Sequence, residues 1–96
     1  MSVLRLTRFK ADPKDADQVL ARRAELIDAI RAKFPGLTEA RLARVDDESW
    51  VDVWRWESTA ALEAAVAGAH SMPETPAAFA IVRDASVEVL ELIDER

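Results

Sequence analysis

Apolar positions along this chain recur at two spacings, and the changes of spacing divide it into elements. Val3 to Lys10 (VLRLTRFK) carries β-forming and apolar residues at both parities and reads as a strand. Asp12 then offers a helix N-cap, Pro13 suits the first helical position, and Asp15 complements the positive helix end. Val19, Leu20, Ala24, Ile27, Ile30 and Phe34 follow at helical spacing, and Pro35-Gly36 stops the helix. Leu37 to Val45 (LTEARLARV) reads as a second strand, Asp46 to Ser49 as a polar turn, and SWVDVWRWES, residues 49–58, supplies a third strand. Ser58 caps a second helix bearing Leu62, Ala65, Val66 and Ala69. Pro73 breaks it, and Thr75-Pro76 restart a short helix with Phe79, Ile81 and Val82. The last strand is Ser86 to Ile93.

The order β-α-β-β-α-β predicts an α+β, ferredoxin-like fold: one four-stranded antiparallel sheet with its helices on one face. The strands alternate poorly, however. Leu4 and Leu6 oppose Val3 and Phe9, Trp50, Trp54 and Trp56 oppose Val51 and Val53, and Val87, Val89 and Ile93 oppose Leu90 and Leu92. A sheet with one wet face reads apolar-in, polar-out. Both faces are therefore expected to be covered, one by helices and the other by a second copy of the sheet. This predicts a homodimer through the sheet face, a dimeric α+β barrel.

All three tryptophans lie between residues 50 and 56. Period-2 spacing puts Trp50, Asp52, Trp54 and Trp56 on one side of the strand. That side is buried either under the helices or in the dimer. Trp54 and Trp56 fit core packing or the wall of a pocket for a flat aromatic ligand, and Trp50 fits the core edge. His70, the only histidine, stays near the stripe of Leu62 and Val66. It is either a helix-terminal residue satisfying carbonyls or a proton acceptor at the rim of the helix–sheet gap. Arg5, Asp52, Arg55 and Glu88 are charged strand residues, expected to pair across the sheet or the dimer or to orient a substrate. The runs ARRAE (21–25) and IDER (93–96) read as solvated surface.

Composition narrows the chemistry. With 96 residues, one domain over 1–96 is expected, and 50% hydrophobic with 32% charged residues is a globular balance. A net charge of −5 with dispersed Lys and Arg argues against nucleic acid. Absent cysteine excludes disulfides, thiol nucleophiles and iron–sulfur clusters, and with one histidine no zinc or copper site is expected. Two distant glycines, Gly36 and Gly68, leave no phosphate loop, so no nucleotide cofactor is expected. No apolar run suits a membrane span, and no signal peptide precedes the first strand. A cytoplasmic, bacterial protein is expected.

Residues 35–58 (PGLTEARLARVDDESWVDVWRWES) and 60–79 (AALEAAVAGAHSMPETPAAF) resemble the antibiotic biosynthesis monooxygenase domain. Trp56 and Ser58 match its Trp-x-Ser strand ending, Leu62, Glu63, Ala64 and His70 its next helix, and residues 87–94 its closing strand. The resemblance implies a dimeric α+β barrel and activities ranging from metal- and flavin-free oxidation of quinols or anthrones to haem degradation or simple binding. There are departures. Haem-degrading members use an asparagine, a helix tryptophan near Ala65 and a histidine near Ala77 or Ala78, and many members carry histidine at Ala65. Quinol-oxidising members often use asparagine and tyrosine, both absent here.

The expected function is a cofactor-independent monooxygenase acting with O2 on a small planar quinol- or anthrone-like aromatic. Trp54 and Trp56 would wall the substrate, His70 or Asp52 would remove a proton, and Arg5 or Arg41 would hold the anion. The alternatives are a dimer that binds a small aromatic without turnover, a structural dimer whose indoles fill the gap, or a haem-binding protein.

Overall fold

The computed structural model describes residues 2–96. The chain runs β1 (Val3–Lys10), a 3-10 turn (Pro13–Asp15), α1 (Ala16–Lys33), β2 (Leu37–Arg44), β3 (Ser49–Trp56), α2 (Thr59–Ala69), α3 (Glu74–Phe79) and β4 (Arg83–Glu91). The four strands form one antiparallel sheet in the order β2-β3-β1-β4. This is the expected ferredoxin-like arrangement, with the helices on one face.

Local chemistry sets the element ends. Asp12 caps the 3-10 turn by accepting from the Lys14 amide at 3.1 Å, and α1 continues from it. Asp46 accepts from the amides of Glu48 and Ser49 at 2.9 and 2.8 Å, which fixes the turn between β2 and β3. Ser58 Oγ accepts from the Ala61 amide at 3.1 Å and starts α2. The second helix ends at Ala69, ahead of Pro73, with His70 as its C-cap. Strand β4 begins at Arg83 rather than Ser86 and ends at Glu91, so Leu92 and Ile93 lie beyond it.

Register decides what faces what. Phe9, Thr7, Arg5 and Val3 of β1 stand opposite Trp50, Asp52, Trp54 and Trp56 of β3. Cross-strand partners share a face, and here that face lies under the helices. Trp54 and Trp56 pack with Leu26, Ile27 and Ile30 of α1 and Leu62 and Ala65 of α2. Trp50 belongs to a smaller cluster with Phe9, Ala11 and Val19. It stacks on Phe9 with ring centroids 6.2 Å apart, and the Arg44 guanidinium covers it at 5.0 Å. It therefore sits at the core edge, as its place at the strand start suggests.

The opposite face carries Leu4, Leu6, Val51 and Val53, all half-buried, and Leu90, 40% exposed. No helix among the described residues covers it. Every residue of β4 is exposed, including Val87 and Val89 on the helix side of the sheet.

Candidate functional site

Between the tryptophan face of the sheet and the three helices lies a cavity of about 420 Å³. It is within the ~300–1,000 Å³ range of small-molecule sites. Trp54 and Trp56 wall it on the sheet side, and Leu26, Ile30 and Leu62 on the helix side. The indoles do not fill the gap. Trp54 is 8% exposed and Trp56 2%, yet neither indole Nε1–H has a hydrogen-bond partner among the described residues. A buried N–H normally finds one. The Thr75 hydroxyl, from α3, also lines the cavity and is likewise buried and unpartnered.

Asp52 is buried on the cavity floor opposite Thr7. Its partner is Arg23 of α1: Nε donates to Oδ2 at 2.9 Å and Nη2 to Oδ1 at 3.0 Å. This corrects the reading of ARRAE as solvated surface at Arg22 and Arg23, while Ala21, Ala24 and Glu25 are exposed. Arg22 donates to the Ala77 carbonyl at 2.9 Å, tying α1 to α3, and Arg23 reaches inward. One signal in the sequence marks Arg23. It follows Val19 by four residues and precedes Leu26 and Ile27 by three and four, so it falls on the helix's buried stripe.

Arg5 lines the same cavity beside Trp54. Its side chain makes no hydrogen bond or ion pair among the described residues. Burial lowers the pKa of its guanidinium, and the Asp52 carboxylate opposes that shift. The other charged strand residues behave differently from one another. Glu88 pairs with Arg8 across β1 and β4, as expected, whereas Arg55 turns to Glu95 in the C-terminal segment.

His70 lines the cavity and is exposed, so it is both the helix-terminal residue and a residue of the rim. Arg41 does not join the site. It stands opposite Val53 on the other face of the sheet, with its side chain 79% exposed. Strict alternation from the inward Leu37 would have pointed it inward. A bulge between Leu37 and Glu39 shifts the register, so that Ala40, Leu42 and Arg44 face the helices instead.

The site can thus hold a flat apolar body against two indoles, with the Arg5 guanidinium as a charged donor in its lining. Among the described residues no three His, Cys, Asp or Glu side chains converge to hold a metal ion, and no helix is long and apolar enough to cross a membrane.

The family model for antibiotic biosynthesis monooxygenases matches residues 2–71. The chain belongs to this family. Solved structures agree on the fold. SnoaB, a cofactor-independent oxygenase from Streptomyces nogalater, matches with TM-score 0.75 and 24% identity, over 98% of this chain and 95% of that one. Rv0793 from Mycobacterium tuberculosis matches with TM-score 0.70 and 23% identity, over 99% and 98%. A dimeric ferredoxin-like protein of unknown function from Jannaschia sp. CCS1 matches with TM-score 0.69 and 19% identity, over 96% and 100%. A search of the curated proteins gives no match.

Proposed function

We propose that this member of the antibiotic biosynthesis monooxygenase family is a cofactor-independent oxygenase that oxidises a small planar quinol- or anthrone-like aromatic with O2. The observation that carries the reading is the cavity walled by two buried indoles whose N–H donors are unpartnered. Family membership and the fold shared with a cofactor-independent oxygenase support it.

In this reading the aromatic lies against Trp54 and Trp56. His70, at the rim and open to solvent, takes a proton from the substrate and passes it to water. Arg5 stabilises the resulting anion. Asp52 holds the floor with its oxygens engaged by Arg23. The anion gives one electron to O2, and the substrate radical and superoxide combine to form a carbon–oxygen bond. The peroxide takes up a proton and loses water, leaving a ring carbonyl. Apolar walls from α1 and α2 exclude water from the radical pair.

The same reading includes a homodimer. Leu4, Leu6, Val51 and Val53 form an apolar strip on the sheet face that no helix covers, and one structural neighbour is dimeric.

Oxygen uptake by the metal-stripped protein against hydroquinones and anthrones tests the activity. Uptake above the autoxidation background, lost in Trp54→Phe and His70→Ala, is expected. Uptake indistinguishable from background across the panel would favour a protein that binds an aromatic without turning it over.

A further inference from the structure

The polar lining of the cavity is unbalanced. Trp54 Nε1 and Trp56 Nε1 are donors without acceptors. Two guanidiniums, Arg5 and Arg23, face a single carboxylate, Asp52, and Arg23 occupies both of its oxygens. Arg5 is left over. It is drawn out of water far enough for burial to disfavour its charge, yet it has no partner among the described residues. An arginine keeps its charge in such a place, and a partly buried cation whose nearby carboxylate is already engaged by Arg23 is incompletely compensated. The cavity lining thus holds two guanidiniums against one carboxylate on an otherwise apolar surface.

We infer that the natural ligand is an aromatic carboxylate: a planar ring system with a permanently anionic carboxyl group bound by Arg5. Its ring lies against the indole faces of Trp54 and Trp56. The guanidinium fork fits a carboxylate through two parallel hydrogen bonds. Register places the parts side by side, because Arg5 and Trp54 are direct cross-strand partners on the helix face. A ring stacked along Trp54 therefore has its carboxyl substituent within the arginine's reach. A neutral quinol would leave Arg5 desolvated and unpaired. The anion required here is present before any proton is removed, which separates it from the transient anion of the oxidation.

The inference rests on reading the cavity as a substrate site, but its test involves no turnover. The probes are 1-hydroxy-2-naphthoate and its methyl ester, which differ in charge and little in shape. Binding is followed by quenching of tryptophan fluorescence and by calorimetry. The wild type is expected to prefer the acid by at least about tenfold, the scale of one charge-assisted hydrogen bond. Arg5→Met should bring the acid-to-ester ratio close to one, while Arg5→Lys should keep part of the preference. Should Arg5→Met fail to fold, the wild type still decides: acid binding should weaken as salt rises, and ester binding should not. Equal affinities in the wild type, a preference that survives in Arg5→Met, or no binding of either probe would overturn the inference. Failure of the oxygenase reading would appear separately, as absent oxygen uptake with the acid still bound.

Discussion

Arg23 and Asp52 meet in a two-pronged ion pair, 2.9 and 3.0 Å long, that joins the middle of α1 to the middle of β3. Both side chains are largely buried, at 19% and 10% exposure. Removing one member of such a pair strands the other charge away from water. Arg23→Ala and Asp52→Ala are each expected to lose on the order of 3 kcal/mol. The double variant should lose less than the sum, since neither charge is then left behind. Urea unfolding of the four proteins measures the coupling.

Trp56 and His70 separate folding from chemistry. Trp56 is 2% exposed within the main core, so Trp56→Ala should destabilise by roughly 3–5 kcal/mol. His70 is exposed, and His70→Ala should stay within about 0.5 kcal/mol of the wild type. Thermal unfolding run beside oxygen uptake is expected to show a folded His70 variant without activity.

Gly68 of α2 packs closely on the Phe34 ring at the end of α1. A Cβ there would lie 2.2 Å from the Phe34 ring. Glycine to alanine in a helix ordinarily gains up to about 1 kcal/mol. The collision with the partly buried Phe34 ring outweighs that gain, and Gly68→Ala should be destabilising by about 1–3 kcal/mol. Adding Phe34→Leu should recover part of the loss, as read from denaturation midpoints.

Asp46 predicts a pH effect of known sign. The backbone amides of Glu48 and Ser49 donate to it and hold its carboxyl below the usual carboxylate range. The unfolded chain therefore takes up the proton first, at a pKa of about 3.9. The stabilisation is complete above that pH and disappears as pH falls through the lower, folded value. Asp46→Asn should be less stable than the wild type near neutrality, and the two stability curves should converge in acid.

The uncovered sheet face predicts assembly. Leu6 sits on β1, second from the β4 edge, with Val53 opposite it. Leu6→Glu would place a charge in the proposed dimer contact, and sedimentation should find the wild type as a dimer and this variant as a monomer.

The element order is legible in the sequence because each change of spacing falls beside a Pro, a Gly or a capping Asp or Ser. Failed alternation also exposes the apolar strip of Leu4, Leu6, Val51 and Val53, since no helix is left to cover it. The grouping of Asp52, Trp54 and Trp56 on one face follows from period two. Their burial under the helices does not, because that depends on the strand order. Arg41 defeats sequence reading for a local reason: one bulge after Leu37 reverses every later side chain in β2. Arg23 is hidden by composition, because a charged run suggests solvent until the helix stripe is traced through it. Leu20, counted among the apolar periodic residues, is 49% exposed, while Leu26 takes its place inside.

The central position of β1 has a consequence for how the molecule is made. Val3 pairs with Glu91, so β1 is bordered by the strand of this sheet most distant from it in sequence. Until the two pair, the apolar cavity beside Val87 lacks that wall. Pairing so distant in sequence requires closing a long loop before any ladder forms, which slows folding relative to local helical contacts. β4 therefore joins the sheet late in folding, and until it pairs, β1 keeps an open edge beside the cavity.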